Sequence, residues 1–286
     1  MSVFQGLGIA MVSPFCDDIE GAVQKLINHY GECADALIVG GTTGEASTMT
    51  TEEKVNLVRL VKKHATVPVI VGAGSNCTAT ACDNAKRYAD LGADALLVVT
   101  PYYNKCTQDG LVEHYGRICE QGLDVIAYNV PSRTGVNILP ATAFRLADID
   151  HLAGLKEASG DFAQMMETLR LTEGKIDLYC GDDDLNVPAI LMGYSGTISV
   201  CGNVAPKITY QAVKEAQAKN AVIASAYRHL LAPLIKALFC EVNPIPTKAA
   251  LNLMGIEVGA PRLPLTEMRA DNLQILKKRL MELELL

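Results

Sequence analysis

One lysine in this sequence stands where it could act as a nucleophile. Lys156 follows the apolar run at residues 152–155, Leu-Ala-Gly-Leu, and precedes Glu-Ala-Ser-Gly at residues 157–160. We expect the run to form a short strand, so that the stem of Lys156 packs in the interior and its amine emerges where strand becomes loop. An amine partly stripped of water can lose its proton and attack a carbonyl carbon, which gives a Schiff base. The alternative is a lysine whose head group reaches solvent at a sheet edge.

A second apolar run ends in groups that could hold a carboxylate. Residues 36–39 lead into Gly-Gly-Thr-Thr-Gly-Glu at residues 40–45. The glycines leave backbone N–H groups accessible, and the hydroxyls of Thr42 and Thr43 lie beside them. Such a segment could cradle a carboxylate, or it could form only a tight strand-to-helix turn with a threonine cap.

Tyrosines and an arginine follow two further apolar runs. The fourth run is followed by Thr-Pro-Tyr-Tyr-Asn, which contains Tyr102 and Tyr103, and the fifth ends in Tyr128. Phenolic hydroxyls at strand ends could carry protons in imine chemistry, although a tyrosine there is often part of the core. Arg133 follows in a loop with proline and glycine. Its planar guanidinium could bind a substrate carboxylate or make an ordinary surface ion pair.

The elements that would position these residues repeat regularly along the chain. Short apolar runs alternate with segments of helical periodicity, which indicates parallel βαβ units whose strands are buried on both faces. About eight such runs predict an α/β fold of the (β/α)8 TIM barrel type, with its active site at the carboxyl ends of the strands. An open doubly wound sheet is the alternative. The runs are residues 7–12, 36–39, 67–71, 95–99, 125–128, 152–155, 176–180 and 197–200.

After the eighth run the sequence contains only helical patterns, more than a barrel needs to close. No proline-, glycine- or serine-rich linker precedes them. We therefore expect a barrel with the catalytic site at residues 1–207 and a C-terminal helical subdomain, packed on the barrel, at residues 208–286. The helical segments are residues 210–218, 222–240, 244–254 and 268–285.

Composition narrows the range of partners. The 286 residues carry a formal net charge of -7, and no block of lysines or arginines offers a surface for nucleic acid or an anionic membrane. The first residues lack the pattern of a signal peptide, and no apolar run approaches the roughly 18 residues that span a bilayer. Nine scattered cysteines and five dispersed histidines predict reduced, mostly buried thiols and no metal cofactor. We expect a soluble, cytoplasmic protein whose partners are small molecules or its own copies.

Three segments begin like functional motifs but depart from them. Residues 72–77 lack the third glycine of a G-x-G-x-x-G nucleotide loop, because Cys77 stands there. Residues 193–196 are one residue short of the nucleophile elbow of hydrolases. The acidic residues 182–184 lack the spaced oxygens of a calcium loop, so we expect hydrogen bonding within a loop or at a helix N-terminus.

Six segments, in their order and spacing, resemble the dihydrodipicolinate synthase family of pyruvate-dependent lyases. The resemblance extends over essentially the whole chain. Ser-Arg-Thr-Gly at residues 132–135 is similar to this family rather than to N-acetylneuraminate lyases or keto-deoxy-sugar aldolases, which share the barrel, the lysine and the first tyrosine. The six segments are residues 41–45, 100–104, 128–135, 154–158, 181–183 and 196–200.

The resemblance implies an activity and an assembly. It implies that pyruvate condenses with L-aspartate 4-semialdehyde in the diaminopimelate route to lysine, through a Schiff base as in class I aldolases and without a cofactor. Lys156 would form the imine with pyruvate, and Tyr128 would carry protons that Thr42 relays to Tyr103. The resemblance also implies that Tyr103 enters the site of a neighbouring subunit, in a homotetramer built from dimers.

Further residues would bind the substrates. The resemblance implies that Thr43, together with Thr42, holds the pyruvate carboxylate and that Arg133 holds the carboxylate of the semialdehyde. It also implies that Gly181 and Ile198 line the pocket.

The resemblance extends to regulation by lysine. Asn76 and Tyr102 match the allosteric site of lysine-regulated relatives. The replacements are Ala46 for a serine of that pattern, Thr51 and Lys54 for two histidines, and Thr80 for a glutamate. Loss of a carboxylate and gain of an ammonium group both oppose the binding of lysine. We therefore expect weak inhibition by lysine or none.

Two other functions stay open at this point. Another pyruvate-dependent lyase or aldolase would keep the barrel and the lysine. A non-catalytic metabolite sensor would keep the pocket, although it would not need the proton relay of Tyr128, Thr42 and Tyr103.

Overall fold

Eight parallel strands form a closed barrel in the computed structural model, which describes residues 2–286. The strands are β1 Gly6–Ala10, β2 Ala36–Val39, β3 Val69–Gly72, β4 Ala95–Val99, β5 Val125–Asn129, β6 Leu152–Glu157, β7 Asp177–Cys180 and β8 Gly196–Ser199. Each strand pairs with its neighbour in sequence, and β1 pairs with β8 from Gly6↔Gly196 to Ile9↔Ser199. This closure confirms the predicted barrel and excludes the open sheet.

Helices surround the barrel and follow it. They are α1 Ile19–Tyr30, α2 Thr51–His64, α3 Thr78–Asp90, α4 Gln108–Cys119, α5 Pro131–Thr134, α6 Pro140–Leu146, α7 Phe162–Thr172, α8 Asn186–Met192, α9 Pro206–Gln217, α10 Ala221–Leu238, α11 Ile245–Leu253 and α12 Ala270–Glu282, with short 3-10 helices at Ala46–Thr48 and Cys201–Asn203. The sequence did not predict α5, α6 and α8, because segments of this length are too short for helical periodicity to show.

The start of α2 shows how local chemistry sets a helix boundary. The hydroxyl of Thr50 accepts a hydrogen bond from the backbone N–H of Glu53 (3.2 Å), whose carboxylate accepts one from the N–H of Thr50 (2.8 Å). This reciprocal capping box satisfies two N–H groups that the helix itself leaves unpaired. It also fixes the point where the chain turns away from the Gly-Thr-Thr-Gly-Glu segment and into the helical layer.

The barrel has one apolar core inside it and another between the strands and the helices. Successive side chains of a strand point to opposite faces, so most strands contribute to both cores, whereas the buried apolar side chains of β6 lie only in the outer core and that of β8 only in the interior core. This is why the strands appear in the sequence as unbroken apolar runs. The interior core consists of Phe4, Ala10, Ala36, Ile38, Ile70, Ala95, Leu97, Ile126, Tyr128, Val130, Tyr179 and Ile198.

Every regular element after β8 is helical, and α10 corrects one expectation from the sequence. Its 18 residues have a mean hydropathy of 1.2, so by length and composition alone it could cross a membrane. Its sequence does not form an unbroken apolar run, because Arg228, His229 and Lys236 interrupt it. One such helix is weak support for a membrane segment, since a core helix of a soluble protein has the same composition. Here α10 packs against α9 and α12.

The thiols are less buried than the composition indicated. All nine cysteines are free, and Cys119, Cys180 and Cys201 are buried, whereas Cys77 and Cys240 are exposed. The other four are partly exposed. The prediction of mostly buried thiols is therefore wrong.

Candidate active site

Lys156 lies near the carboxyl end of β6. The strand continues to Glu157, so the lysine is part of the strand and does not mark the point where the loop begins. Its side chain is buried. Lys156 pairs in register with Tyr128 on β5, and its Nζ lies 4.3 Å from the centroid of the Tyr128 ring. The structure thus brings the candidate nucleophile and the candidate proton carrier into contact.

Gly181 lies against the stem of Lys156. A Cβ atom at residue 181 would lie 2.7 Å from Cε of Lys156 and 2.8 Å from Cβ of Ala158, so a larger residue would displace the lysine. The backbone N–H of Gly181 donates to the carbonyl oxygen of Glu157 (2.7 Å), and this bond holds the two segments at this separation. Ile198 is buried in the interior core that also contains Tyr128. Gly181 therefore lies beside the lysine, and Ile198 belongs to the same interior core as Tyr128.

A cavity of about 360 Å³ opens among the segments that follow the strands. Thr42, Tyr128 and Arg133 line it together, although they come from three different segments of the chain. Loops that follow the strands of such a barrel converge at this end, which is where barrel enzymes bind their substrates. The volume is in the range of small-molecule sites.

Thr43 is buried and already has a hydrogen-bond partner. Its hydroxyl accepts a hydrogen bond from Nδ2 of Asn243 (3.0 Å). The backbone carbonyl oxygen of Asn243 in turn accepts a hydrogen bond from Nη2 of Arg133 (3.3 Å). Asn243 also lines the cavity. It therefore connects two residues that the resemblance assigned to different substrate carboxylates.

Asn243 is a site residue that the sequence did not predict. This residue lies in the short connection between α10 and α11, 200 residues after Thr43 along the chain. Only its amide side chain next to Pro244 could have drawn notice, since turns favour asparagine before proline. No local pattern places that connection at the mouth of the barrel.

Arg133 lies on the short helix α5. The expectation that it lies in a loop is therefore wrong. The helix begins at Pro131 and ends before Gly135, whose φ of 71° is in the left-handed region that favours glycine. Proline presets the backbone angle of the first helical residue. The two flanking residues therefore hold Arg133 in a defined turn at the edge of the cavity.

Tyr103 is separated from the rest of the predicted proton relay. Its side chain is 91% exposed, and it does not line the cavity that Thr42 and Tyr128 share. The neighbouring Tyr102 does line that cavity. Within one chain, the structure places Lys156 against Tyr128, and Tyr128 and Thr42 at one cavity that neither Lys156 nor Tyr103 lines.

Residues of the degenerate lysine site lie along the same cavity. Ala46, Lys54 and Tyr102 line it, and burial lowers the pKa of Lys54. The backbone carbonyl oxygen of Asn76 accepts a hydrogen bond from Nδ2 of Asn104 (2.9 Å), and Asn104 lies two residues after Tyr102. The positive charge of Lys54 therefore lies at the same cavity as Tyr102.

The acidic residues 182–184 form hydrogen bonds between strand ends. Asp183 is buried, and its carboxylate accepts hydrogen bonds from the hydroxyl of Ser199 and from the backbone N–H groups of Val200 (2.9 Å) and Cys201 (2.8 Å). Burial raises the pKa of this carboxyl group, and the three donors oppose that rise. Within the acidic segment itself, the backbone N–H of Asp184 donates to Oδ1 of Asp182 (3.1 Å), which is the predicted hydrogen bonding within a loop.

The arrangement as a whole can act on a carbonyl group. A buried amine lies against the ring of a tyrosine, and that tyrosine lines a cavity together with a threonine and an arginine. An amine so placed can form a Schiff base with a keto acid, while the hydroxyl and the guanidinium bind carboxylates.

Comparison with known proteins identifies the family. The model of the dihydrodipicolinate synthetase family matches residues 3–283. The 4-hydroxy-tetrahydrodipicolinate synthase of Lachnoclostridium phytofermentans is 45% identical over 284 residues, which cover 96% of this chain and 97% of that protein. Two solved structures share the whole fold. Dihydrodipicolinate synthase from Thermotoga maritima has a TM-score of 0.97 and 41% identity, and the match covers 99% of this chain and 100% of that one. A monomeric dihydrodipicolinate synthase variant also has a TM-score of 0.97 and 41% identity, and the match covers 99% of this chain and 98% of that one. The chain belongs to the dihydrodipicolinate synthetase family.

Proposed function

We propose that this chain is a lyase that condenses pyruvate with L-aspartate 4-semialdehyde and gives 4-hydroxy-tetrahydrodipicolinate. The observation that carries the proposal is the contact between Lys156 and Tyr128 beside a cavity lined by Thr42 and Arg133. Family membership over residues 3–283 supports the same reaction. The reaction belongs to the diaminopimelate route to lysine.

The reaction begins at Lys156. Its neutral amine attacks the keto carbon of pyruvate, and loss of one water gives an imine. The protonated imine withdraws electrons, so the methyl carbon of pyruvate loses a proton and becomes a nucleophilic enamine. This carbon attacks the aldehyde carbon of the semialdehyde, whose oxygen takes a proton and becomes the hydroxyl of the product. The amino group of the semialdehyde then displaces Lys156 and closes the ring.

Tyr128 has the position required for proton transfer at the imine. Its ring lies directly beside the amine of Lys156, so its hydroxyl can exchange protons with groups formed on that nitrogen and the adjacent carbon. Thr42 lines the same cavity and would pass protons onward. Protons are added and removed as the carbinolamine and the enamine form, and a hydroxyl held at the reacting atoms speeds these transfers.

Two carboxylates must be held during the condensation. We assign the pyruvate carboxylate to the segment with Thr42 and Thr43, and the semialdehyde carboxylate to Arg133. Asn243 supports this division, because its amide contacts the Thr43 hydroxyl and its carbonyl oxygen holds the Arg133 guanidinium. A guanidinium makes charge-assisted hydrogen bonds that favour a carboxylate over a neutral group.

We further propose that the active form is an oligomer in the cytoplasm. Tyr103 is exposed on the single chain, so its place in the proton relay requires the cavity of a second copy. A dimer would complete two such sites, and a tetramer would pair two dimers. The monomeric variant among the related structures makes the state of this chain a matter for measurement by ultracentrifugation.

An assay of aldehyde acceptors tests the proposed function. The purified protein is incubated with pyruvate and a panel of aldehydes that includes L-aspartate 4-semialdehyde, N-acetylmannosamine and small sugar aldehydes. We expect turnover with the semialdehyde that exceeds turnover with every other acceptor. Preference for a sugar aldehyde would instead assign another activity of the superfamily, and pyruvate binding without any turnover would favour the sensor.

A further inference from the structure

A buried carboxylate lies directly behind the candidate nucleophile. Glu157 is fully buried and accepts hydrogen bonds from Nδ2 of Asn129 (3.1 and 3.0 Å to its two oxygens), the backbone N–H of Ser159 (2.7 Å) and Nε2 of Gln164 (3.3 Å). Burial raises the pKa of this carboxyl group, and the hydrogen bonds oppose the rise. The mechanism above makes no use of Glu157, so its presence in the core needs another explanation.

The register of two strands relates this carboxylate to the active site. Tyr128 pairs with Lys156, and the next residues along the same strands, Asn129 and Glu157, also pair. Successive side chains point to opposite faces of a strand. The hydrogen bonds of Asn129 and Glu157 therefore lie on the helix side of the sheet, one residue beyond the contact between Tyr128 and Lys156 on the barrel side.

The same amides extend to the segment that follows α5, the helix that carries Arg133. Nδ2 of Asn129 donates to Oδ1 of Asn137 (2.8 Å), and Oδ1 of Asn129 accepts from the backbone N–H of Ile138 (2.9 Å). Nδ2 of Asn137 donates to Oε1 of Gln164 (2.8 Å). One hydrogen-bond network thus contacts β5, β6 and the chain just beyond α5. We call Asn129, Asn137, Glu157 and Gln164 the rear amide network.

Stability alone is a poor account of this network. A buried carboxylate is costly to desolvate, and well-packed apolar residues at such positions are often as stable or more so. A fully hydrogen-bonded network does, however, restrict the positions of the segments it joins. Displacement of a reacting group by about 1 Å can reduce a rate by about 100-fold.

We propose that Glu157 and Asn129 are positioning residues that hold Lys156 against Tyr128 and set the place of the α5 turn with Arg133. They touch neither substrate and act through the two strands and the segment behind them. The inference rests on the proposed function, because it assumes that imine formation occurs at Lys156. Its specific claim is that the hydrogen bond between residues 129 and 157 is needed for the rate of that step.

An exchange of donor and acceptor tests the claim. Glu157→Gln replaces one of the two oxygens that accept from Nδ2 of Asn129 with an N–H donor, and Asn129→Asp places two carboxylates in contact, so each single variant disrupts the link. The double variant restores it, since Gln at residue 157 can donate to Asp at residue 129. Formation of the pyruvate imine is measured by borohydride trapping against time at limiting pyruvate, and kcat and KM are measured for both substrates. Leu26→Ala, which creates a space in the core of α1, is the control for loss of stability alone.

We expect each single variant to form the imine at least about 10-fold more slowly than the wild type, with a raised KM for the semialdehyde. The double variant should recover most of the trapping rate. The Leu26→Ala protein should be less stable to heat but should trap pyruvate at the wild-type rate while folded.

Three results would overturn the inference. They are wild-type trapping rates in both single variants, a double variant slower than either of them, and a loss of rate that merely follows the unfolded fraction, as in the stability control. The wild-type protein separates this inference from the proposed function. If it traps no pyruvate, the proposed function fails first, and if it traps pyruvate while the variants behave like it, only the positioning role fails.

Discussion

Nζ of Lys156 lies 4.3 Å from the centroid of the Tyr128 ring, on the neighbouring strand and in register with it. A cation at this distance from an aromatic face is attracted by the negative potential of the ring. The ring therefore holds the amine in place before the substrate arrives, and the hydroxyl on the same ring is available once the imine forms. Positioning and proton transfer thus depend on different parts of one side chain.

Substitution of Tyr128 by phenylalanine separates these two contributions. The ring remains beside Lys156, while the proton carrier is lost, so we expect kcat to fall by about 100-fold or more with little change in fold. Tyr30→Phe is a matched control, because the buried Tyr30 hydroxyl donates to Oδ1 of Asn203 (2.9 Å) and neither residue lines the cavity. The control should lose about 1 kcal/mol of stability and keep its kcat. A Tyr128→Phe variant with near-full activity would exclude the proton-carrier role.

Removal of the Arg133 guanidinium should affect one substrate more than the other. We expect Arg133→Ala to weaken use of the semialdehyde by roughly 1.5 to 3 kcal/mol, the free energy of a charge-assisted hydrogen bond, with much less change in imine formation. Steady-state kinetics with each substrate varied decide the point. Arg145→Ala, which removes a surface pair with Asp109, should change neither parameter. An effect confined to the pyruvate KM would show that Arg133 binds the other carboxylate.

A buried ion pair fastens the C-terminal helices to the Gly-Thr-Thr-Gly-Glu segment. Nζ of Lys248 on α11 lies 2.8 Å from Oε1 of Glu45, and both side chains are buried. We expect Lys248→Met to lower the free energy of unfolding, measured by urea titration, by roughly 3 to 5 kcal/mol, because the Glu45 carboxylate stays buried but loses its charged partner. The double variant Glu45→Gln with Lys248→Met should recover most of this loss. A single variant as stable as the wild type would show that water reaches Glu45.

His114 gives the folded protein a defined dependence on acid. Burial lowers the pKa of His114 from 6.5 to about 4, and Nδ1 lies 2.9 Å from the Thr78 hydroxyl, while Nε2 has no partner among the described residues. The folded state resists protonation, so the unfolded state binds more protons below pH 6.5. Stability from this group is therefore present above pH 6.5 and lost as pH falls towards 4, by about 3 kcal/mol in total.

Urea unfolding of His114→Gln as a function of pH measures this dependence. The variant should lose less stability than the wild type between pH 6.5 and 4. His229→Gln, at an exposed position on α10, should follow the wild type. Parallel curves for the wild type and His114→Gln would show that His114 becomes protonated without cost.

Free lysine should inhibit this enzyme weakly or not at all. Lys54 lines the cavity beside Tyr102, and an ammonium group on the effector would meet its positive charge at a site with reduced exposure to water. A titration of activity with L-lysine at subsaturating pyruvate measures the effect. Half-inhibition below millimolar lysine would show that other contacts form a lysine site.

The sequence predicted the barrel and the placement of Tyr128 and Lys156 on its strands, but not the contacts between distant segments. Strands such as β4 are buried on both faces and therefore appear as apolar runs. The end of β6 was placed too early, because Lys156 and Glu157 are polar residues inside a strand. Asn243 reaches Thr43 across 200 residues, a contact set by the docking of α11 that no local period reveals. The division at residue 207 stays a prediction.

Glu157 illustrates a second limit of sequence reasoning. Its position next to Lys156 made it part of a motif, yet the chain alone could not show that its carboxylate lies on the opposite face and bonds to Asn129. Tyr103 illustrates a third limit, since a single chain exposes the side chain whose proposed partner is another copy.

Borohydride reduction in the presence of pyruvate tests the central claim most directly. The protein is reduced with and without pyruvate, digested and analysed by mass spectrometry, alongside Lys156→Ala. We predict one reduced pyruvate adduct per chain, located on Lys156 and absent from the variant. An unmodified Lys156, or equal labelling of the wild type and Lys156→Ala, would contradict the Schiff-base mechanism.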